Sequence, residues 1–409
     1  MTIREDIVEY LRLGEKKSKN LGVEIEHFVV DSNGIQIGFD EVTGLIDDVV
    51  SKHNYKPFIT EGHVVGYDTG EYTVTLEPSC QFEVSIYPKN DLEDIKDIYN
   101  KFYNEWNTIF EERDFRIITN GNLPAVEEGK IIPDDIPLSS KLRYKYMNQY
   151  FEKRGKYGKY MMRASGSTQI SIDYSSEEDM IVKTRVLEKI SPILMILMEN
   201  KVKEDSHLPG EEDKTHLLRT QEWENLDDAR TGYFPKSFDP DFGYESIADV
   251  ILNTPLILLN DKGITTYVED KTAIDLINEG TLDYDICDEK TKTELIEHFI
   301  SMGFFHYRIK RYIEIRVADA VPIDKALAYA ALIKGLMYND DSIRELDQRL
   351  KRVTQIDQIN DATQEIEKYG FDAVIYDNKT AQEWSNEIVD IAAKVVDDNE
   401  RRYLEIFRR

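Results

Sequence analysis

The chain predicts an α+β fold, an antiparallel β-sheet with helices packed outside it. Three observations lead there. Segments near residues 23–30, 81–86, 167–173 and 312–317 alternate apolar and polar side chains, the period of a sheet with one buried face. Residues 90–113 repeat Leu92, Ile95, Ile98, Phe102 and Trp106 at helical spacing. From Asp324 onward the sequence reads mostly helical. A length of 409 residues is long for one ordinary core and short for three. The expectation is a single catalytic α+β domain over 1–409, with a helical part over about 324–409 packed on it.

In order, residues 2–19 read as a helix with Ile7, Leu11 and Leu13 on one face. A strand at 23–30 ends in the turn Asp31-Ser32-Asn33-Gly34. Residues 40–53 look helical, and strands at 66–77 and 82–87 flank Pro78. Asp91 is placed to cap the helix at 90–113. A short strand at 117–120, a helix at 139–153 and a strand at 165–174 follow. Residues 177–202 read as a long helix broken or bent at Pro192. The stretch 205–243 is rich in Gly and Pro and reads as a functional or mobile loop. A strand at 264–269, a helix at 289–302 and a strand at 307–317 complete the pattern.

Composition excludes several function classes. With 79 Asp and Glu against 51 Lys and Arg, the net charge of -28 repels nucleic acid and anionic membranes. The most apolar run, Ile190–Met198, is too short to span a bilayer and reads as a buried helix. Met1–Glu15 is acidic and has no apolar run, so no signal peptide is expected there. Two cysteines, Cys80 and Cys287, make neither a disulfide framework nor a zinc motif. The expectation is a cytoplasmic protein, monomer or homodimer, without nucleic-acid or membrane partners.

The chemistry lies on the polar strand faces. Glu24 and Glu26 share one face; so do Gln81, Glu83 and Ser85; so do Ser167, Gln169, Ser171 and Asp173; so do Tyr312, Glu314 and Arg316. A solvated outer face is one reading. Against it, Glu is a poor strand former, and Glu24 and Glu26 sit together with no cation between them. A divalent cation held with nucleotide phosphates is the other reading.

At these same residues the sequence resembles the glutamate–cysteine ligases of the plant and proteobacterial type, a branch of the carboxylate–amine ligases. Gly22-Val23-Glu24-Ile25-Glu26 is similar to that family's opening Gly-x-Glu-x-Glu strand. The stretches 76–85, 161–177, Trp223 through Asp227-Asp228-Ala229-Arg230-Thr231-Gly232, and 312–319 resemble its further segments, in the same order. The resemblance implies a glutamine-synthetase-like sheet curved into a funnel, and formation of γ-glutamylcysteine from glutamate, cysteine and ATP, the first step of glutathione synthesis. A relative joining glutamate or another acid to a different amine is the alternative, as is a non-catalytic ligand-binding relative. The resemblance makes Glu24, Glu26, Glu83 and Glu314 ligands of Mg2+, or of Mn2+, with Glu77 and Gln169 close by or ligating. Arg316 and Glu26 fall at the reacting centre. Arg230 and Trp223 belong to the glutamate pocket, Arg143 and Arg163 to the same pocket or the phosphates, and Ser167 and Thr168 offer hydroxyl or backbone contacts.

Ser79-Cys80 stands where the family pairs two glycines, so the turn there is expected to differ. His27 follows the Glu pair but points to the apolar face by alternation. The basic stretch Lys153–Tyr160 lacks the Gly-Lys-Ser/Thr ending of a phosphate-binding loop and reads as a solvated loop or a mobile cover over ATP phosphates.

Overall fold

The alternating segments assemble into one nine-stranded sheet in a computed structural model that describes residues 2–408. The strands of the chain are β1 (Leu21–Val30), β2 (Lys56–Thr60), β3 (His63–Asp68), β4 (Tyr72–Leu76), β5 (Phe82–Lys89), β6 (Arg116–Ile118), β7 (Ser167–Ile172), β8 (Leu256–Asp261), β9 (Ile264–Lys271), β10 (Tyr307–Ile309) and β11 (Ile313–Asp319). The sheet order is β10-β11-β7-β1-β5-β4-β3-β2, with β6 on the far end of β1 and β8–β9 as a separate hairpin. Every pairing is antiparallel, and the sheet stays open at β10 and β2.

Helices cover the apolar face. Those used below are α1 (Ile3–Arg12), α2 (Phe39–His53), α3 (Leu92–Glu111), α4 (Leu142–Phe151), α5 (Gly158–Ala164), α6 (Glu177–Met198), α7 (Leu218–Glu224) and α8 (Ile323–Met337). Asp91 caps α3, as expected, by accepting from the Glu93 amide at 2.9 Å. The stripe read from the sequence then sits on β5, with Trp106 edge-on to Phe82 at a centroid distance of 4.5 Å. Truncating Trp106 to Ala would cost about 3–5 kcal/mol, the usual price of emptying a buried aromatic site. The helix α8 packs on α3, β1, β7 and α6, and one apolar cluster runs from Ile7 to Phe407.

The differences from expectation have local causes. The helix α1 stops at Arg12, leaving Leu13 60% exposed, because the chain must pass against Arg311. A Cβ on Gly14 would stand 2.5 Å from the Arg311 Cα. The strand read over 66–77 is the hairpin β3–β4, turned where Asp68 accepts from the Gly70 amide at 2.8 Å. The strand read over 307–317 is likewise a hairpin, β10–β11. The edge strand β2 went unread because it is largely exposed and lacks alternation; β8 went unread because Leu256–Leu259 is one apolar run. The helix α6 continues through Pro192 to Met198, and every residue from Val186 onward is buried. The loop-rich stretch contains α7. No described helix is long and apolar enough to cross a membrane.

His27 lies on the apolar face, as the alternation requires. Its ring nitrogens pair with the Phe82 carbonyl and the Tyr99 hydroxyl, both at 2.9 Å. Burial pulls its pKa down to about 4. The neutral ring therefore favours the fold above the unfolded value near 6.5, and that contribution fades as pH falls toward 4. NMR of the imidazole should find His27 neutral at pH 5.5; a charged ring at that pH contradicts this packing.

Candidate active site

Strand register brings the polar faces together. Across β1 and β5, Glu26 faces Glu83 and Glu24 faces Ser85; across β1 and β7, Glu24 faces Gln169; across β11 and β7, Glu314 faces Ser171. This face, with α4 and α7 beside it, lines a cavity of about 420 Å³. Glu24, Glu26, Glu77, Glu83, Gln169, Glu314 and Arg316 all line it, as do Arg143 and Trp223.

Each carboxylate has a distinct environment. Glu26 accepts from the Ser167 amide at 2.9 Å and the Ser167 hydroxyl at 2.7 Å. Among the described residues Glu83 has only hydroxyl donors, Thr75 at 3.0 Å and Ser85 at 3.3 Å. Glu314 faces three cations: Lys310 at 2.6 Å, Arg308 at 2.8 Å and Arg316 at 3.1 Å. Arg316 also donates to Gln169 Oε1 at 2.6 Å.

The titration behaviour follows. Burial, reinforced by Glu314, raises Glu24 to about 7, against the pull of Lys310 and Arg316. Burial and Glu77 raise Glu26 to about 7. Burial together with Glu24, Glu77 and Glu26 holds Glu83 well above the usual carboxylate range. Burial alone would raise Glu314 too, but Lys310, Arg308 and Arg316 outweigh it and hold that carboxyl far below the usual range. The cavity thus combines repelling carboxylates with a cationic cluster around Glu314.

Among the described residues, no three His, Cys, Asp or Glu side chains converge tightly enough to enclose a cation alone. Magnesium does not require that; it keeps waters and takes one or two carboxylates beside substrate phosphates. Glu24, Glu26 and Glu83 are hard oxygen donors whose mutual repulsion a cation would relieve, and Glu77 stands next to them. They fit such a site. Glu314 gives both oxygens to its three cations, so its place here is to hold Arg308, Lys310 and Arg316.

Three expected site residues lie elsewhere. Thr168 is wholly buried on the opposite face, its hydroxyl accepting from the Val321 amide at 3.2 Å. Arg163 donates to the Ile136 carbonyl at 2.9 Å and does not line the cavity. Arg230 is fully buried and turned into the protein: it donates to Asp227 at 2.7 Å, the Pro255 carbonyl at 2.6 Å and the Tyr150 hydroxyl at 3.0 Å. Conversely, the cavity includes Arg219, Arg308, Lys310 and Lys141, which sequence reasoning passed over. Alternation through β10 would have found Arg308 and Lys310 had the hairpin been recognised. Arg219 precedes Trp223 by four residues, one helical turn on α7.

The profile of glutamate–cysteine ligase family 2 matches residues 20–408. The chain belongs to that family. The chloroplastic glutamate–cysteine ligase B of Oryza sativa subsp. japonica is 28% identical over 355 residues, spanning 84% of this chain and 68% of that one. The chloroplastic glutamate–cysteine ligase of Arabidopsis thaliana is 28% identical over 346 residues, spanning 84% and 64%. The glutamate–cysteine ligase of Francisella tularensis, solved in complex with AMP, shares the fold with a TM-score of 0.52 at 14% identity, covering 97% of this chain and 82% of that one.

In this family-2 ligase the departure at Ser79-Cys80 is resolved locally. Cys80 takes the left-handed backbone that a glycine would adopt freely, with φ of 65°. Its thiol is wholly buried, and burial pushes its pKa up to about 12, which leaves it inert. The basic stretch is also engaged. Lys153 pairs with Glu269, Arg154 with Asp270, Lys156 with Glu211 and Lys159 with Asp134, so those cations form surface ion pairs.

Arg230 ties the 227–232 loop of the ligase to α4 and to Pro255, just before β8. Gly232, with φ of 81°, closes that loop, and its carbonyl accepts from the His306 amide at 2.8 Å. Arg230→Met should therefore destabilise the ligase by about 3–5 kcal/mol, because it removes the buried guanidinium that joins the half-buried Asp227 to the Pro255 carbonyl and the Tyr150 hydroxyl. Denaturant unfolding checks this; a stable variant that loses only glutamate affinity would place Arg230 in the substrate pocket after all.

Proposed function

We propose that this family-2 ligase joins the γ-carboxyl of glutamate to the amine of cysteine at the expense of ATP, with Mg2+ or Mn2+ held by Glu24, Glu26, Glu77 and Glu83. The observation that carries the reading is one cavity combining these four carboxylates and Glu314 with Arg308, Lys310, Arg316 and Arg219. Carboxylates suit a metal-bound polyphosphate, and the cations suit anionic substrate groups and the transferring phosphoryl group.

A carboxylate resists attack by an amine because it is charged and lacks a leaving group. Transfer of the γ-phosphoryl group of ATP to it supplies one, as an acyl phosphate; the amine then attacks and phosphate departs. The cation, when bound, neutralises charge on the phosphate oxygens. The chain's own part is positional. Arg316, held by Gln169 and Glu314, presents its guanidinium to the phosphoryl oxygens. Trp223 and Arg219 form the wall against which the glutamate lies. No protein nucleophile is needed.

Phosphate release from ATP and Mg2+ with glutamate, across cysteine, 2-aminobutyrate and other amines, tests the acceptor. Release with cysteine, and a γ-linked dipeptide by mass, supports the proposal. Consumption of another amine but not cysteine would keep the chemistry and replace the acceptor; no turnover with any pair would leave a ligand-binding protein.

A further inference from the structure

The helix α7 starts from a strained residue. Leu217, immediately before it, is buried and holds φ of 57° and ψ of 41°, a left-handed backbone that is uncommon for any residue but glycine. Its own side chain caps nothing. The group that holds it is Glu199, the first residue past α6. Glu199 Oε1 accepts from the Leu217 amide at 2.7 Å, and Oε2 lies 3.0 Å from His216 Nδ1. His216 is fixed in turn. Its amide donates to the Glu367 carbonyl at 3.0 Å, and its ring rests where a Cβ on Gly370 would stand 2.6 Å away. The Gln221 side chain closes the turn by donating to the His216 carbonyl at 2.7 Å.

The same short segment grips β11. The Asn200 amide donates to Asp319 at 2.8 Å, and its side chain donates to the Ala320 carbonyl at 2.8 Å. Strand β11 carries Glu314 and Arg316; α7 carries Arg219 and Trp223; all four line the cleft. Arg219 joins the two elements by donating to the Arg316 carbonyl at 3.2 Å. Residues 199 and 200 therefore set α7 against β11 from outside the cleft lining.

We propose that Glu199 is a positioning residue for the glutamate wall: its carboxylate holds Leu217 left-handed, and that backbone aims Arg219 and Trp223 into the cleft. The assignment rests on the reading of this cleft as the site where glutamate is activated. Without the carboxylate, Leu217 relaxes to an ordinary backbone conformation, the start of α7 turns, and Arg219 leaves the Arg316 carbonyl. Lys201 is not orphaned by the loss, because it keeps the Glu204 and Thr215 carbonyls.

Three variants of the full chain separate backbone from bulk. Glu199→Ala removes the carboxylate. Leu217→Ile keeps volume and apolarity, but its β-branch disfavours the left-handed region. Leu217→Gly enters that region freely but loses the buried side chain. In steady-state kinetics with cysteine, Glu199→Ala and Leu217→Ile should each raise the KM for glutamate roughly tenfold, the scale on which small misplacements act, and leave the KM for ATP within about twofold. Leu217→Gly should raise the glutamate KM less than Leu217→Ile does, although it lowers the melting temperature more. Losses that follow melting temperature, with glycine the worst, overturn the positioning role, as does a wild-type KM in Glu199→Ala. If Glu199→Ala does not fold, the order of the two Leu217 variants decides. Hydrogen exchange of the α7 amides, read by mass, needs no turnover and should quicken in Glu199→Ala and Leu217→Ile; unchanged exchange overturns the clamp. A wild type that consumes no amine with glutamate would sink the ligase reading instead, and exchange would still decide whether Glu199 holds α7.

Discussion

Arg316→Lys is expected to lower glutamate-dependent phosphate release by roughly 10²–10³-fold, the scale of removing one preorganised donor from a charge-developing centre. Arg316 reaches Gln169 and Glu314 through one nitrogen and keeps the rest of its planar fork for the cleft. Lysine carries the charge but cannot reproduce that fork, and a point charge there is free to collapse onto Glu314. The loss should fall on kcat more than on the KM for glutamate, because the contact gains strength as charge builds on the phosphoryl oxygens. Steady-state kinetics decide it. A variant within a few-fold of wild type would make Arg316 a structural partner of Glu314.

Glu83→Gln should abolish turnover, by roughly a hundredfold or more, the usual cost of disturbing a metal site. The same change should stabilise the protein measured without metal. Burial and the neighbouring carboxylates Glu24, Glu77 and Glu26 disfavour a charge on Glu83, and glutamine removes that charge while keeping the contacts from Thr75 and Ser85. A carboxyl whose folded pKa is raised weakens the fold as pH climbs above its unfolded value near 4.5. The advantage of the variant should thus be absent near pH 4 and grow with pH, to about 2 °C in melting temperature for each kcal/mol of relief. Added Mg2+ should raise the melting temperature of wild type more than that of the variant. Retained activity, or an unchanged response to Mg2+, would remove Glu83 from the metal set.

Most of the fold and the floor of the site are legible in the sequence because both rest on one rule. A strand's period of two sends Val23, Ile25, Phe82, Val84, Ile170 and Ile315 to the core, and it must send Glu24, Glu26, Glu83, Gln169 and Glu314 the other way. The same rule placed His27 correctly on the apolar face. What it does not give is distance. Arg230 and Arg163 sit in segments that resemble substrate-binding motifs, yet whether a guanidinium faces the cleft or threads into backbone carbonyls is decided by tertiary packing. Thr168 is the converse case: alternation already assigned it to the apolar face, and the resemblance alone drew it toward the site. The β3–β4 turn does carry its mark, Asp68-Thr69-Gly70, and the reading of one strand over 66–77 passed over it; the β10–β11 hairpin was hidden for want of one. Lys310-Arg311-Tyr312 contains no Gly, Pro, Asn or Asp, so the chain reversal that aims Arg308 and Lys310 at Glu314 left no local mark.

The most direct test of the ligase chemistry follows oxygen. Glutamate labelled with 18O in its γ-carboxyl is incubated with cysteine, ATP, Mg2+ and the full chain, and the dipeptide and inorganic phosphate are analysed by mass. Activation of the carboxyl as an acyl phosphate predicts a γ-linked dipeptide and one 18O in each phosphate released. Phosphate without label, or label-bearing glutamate recovered unchanged while ATP is hydrolysed, would contradict it.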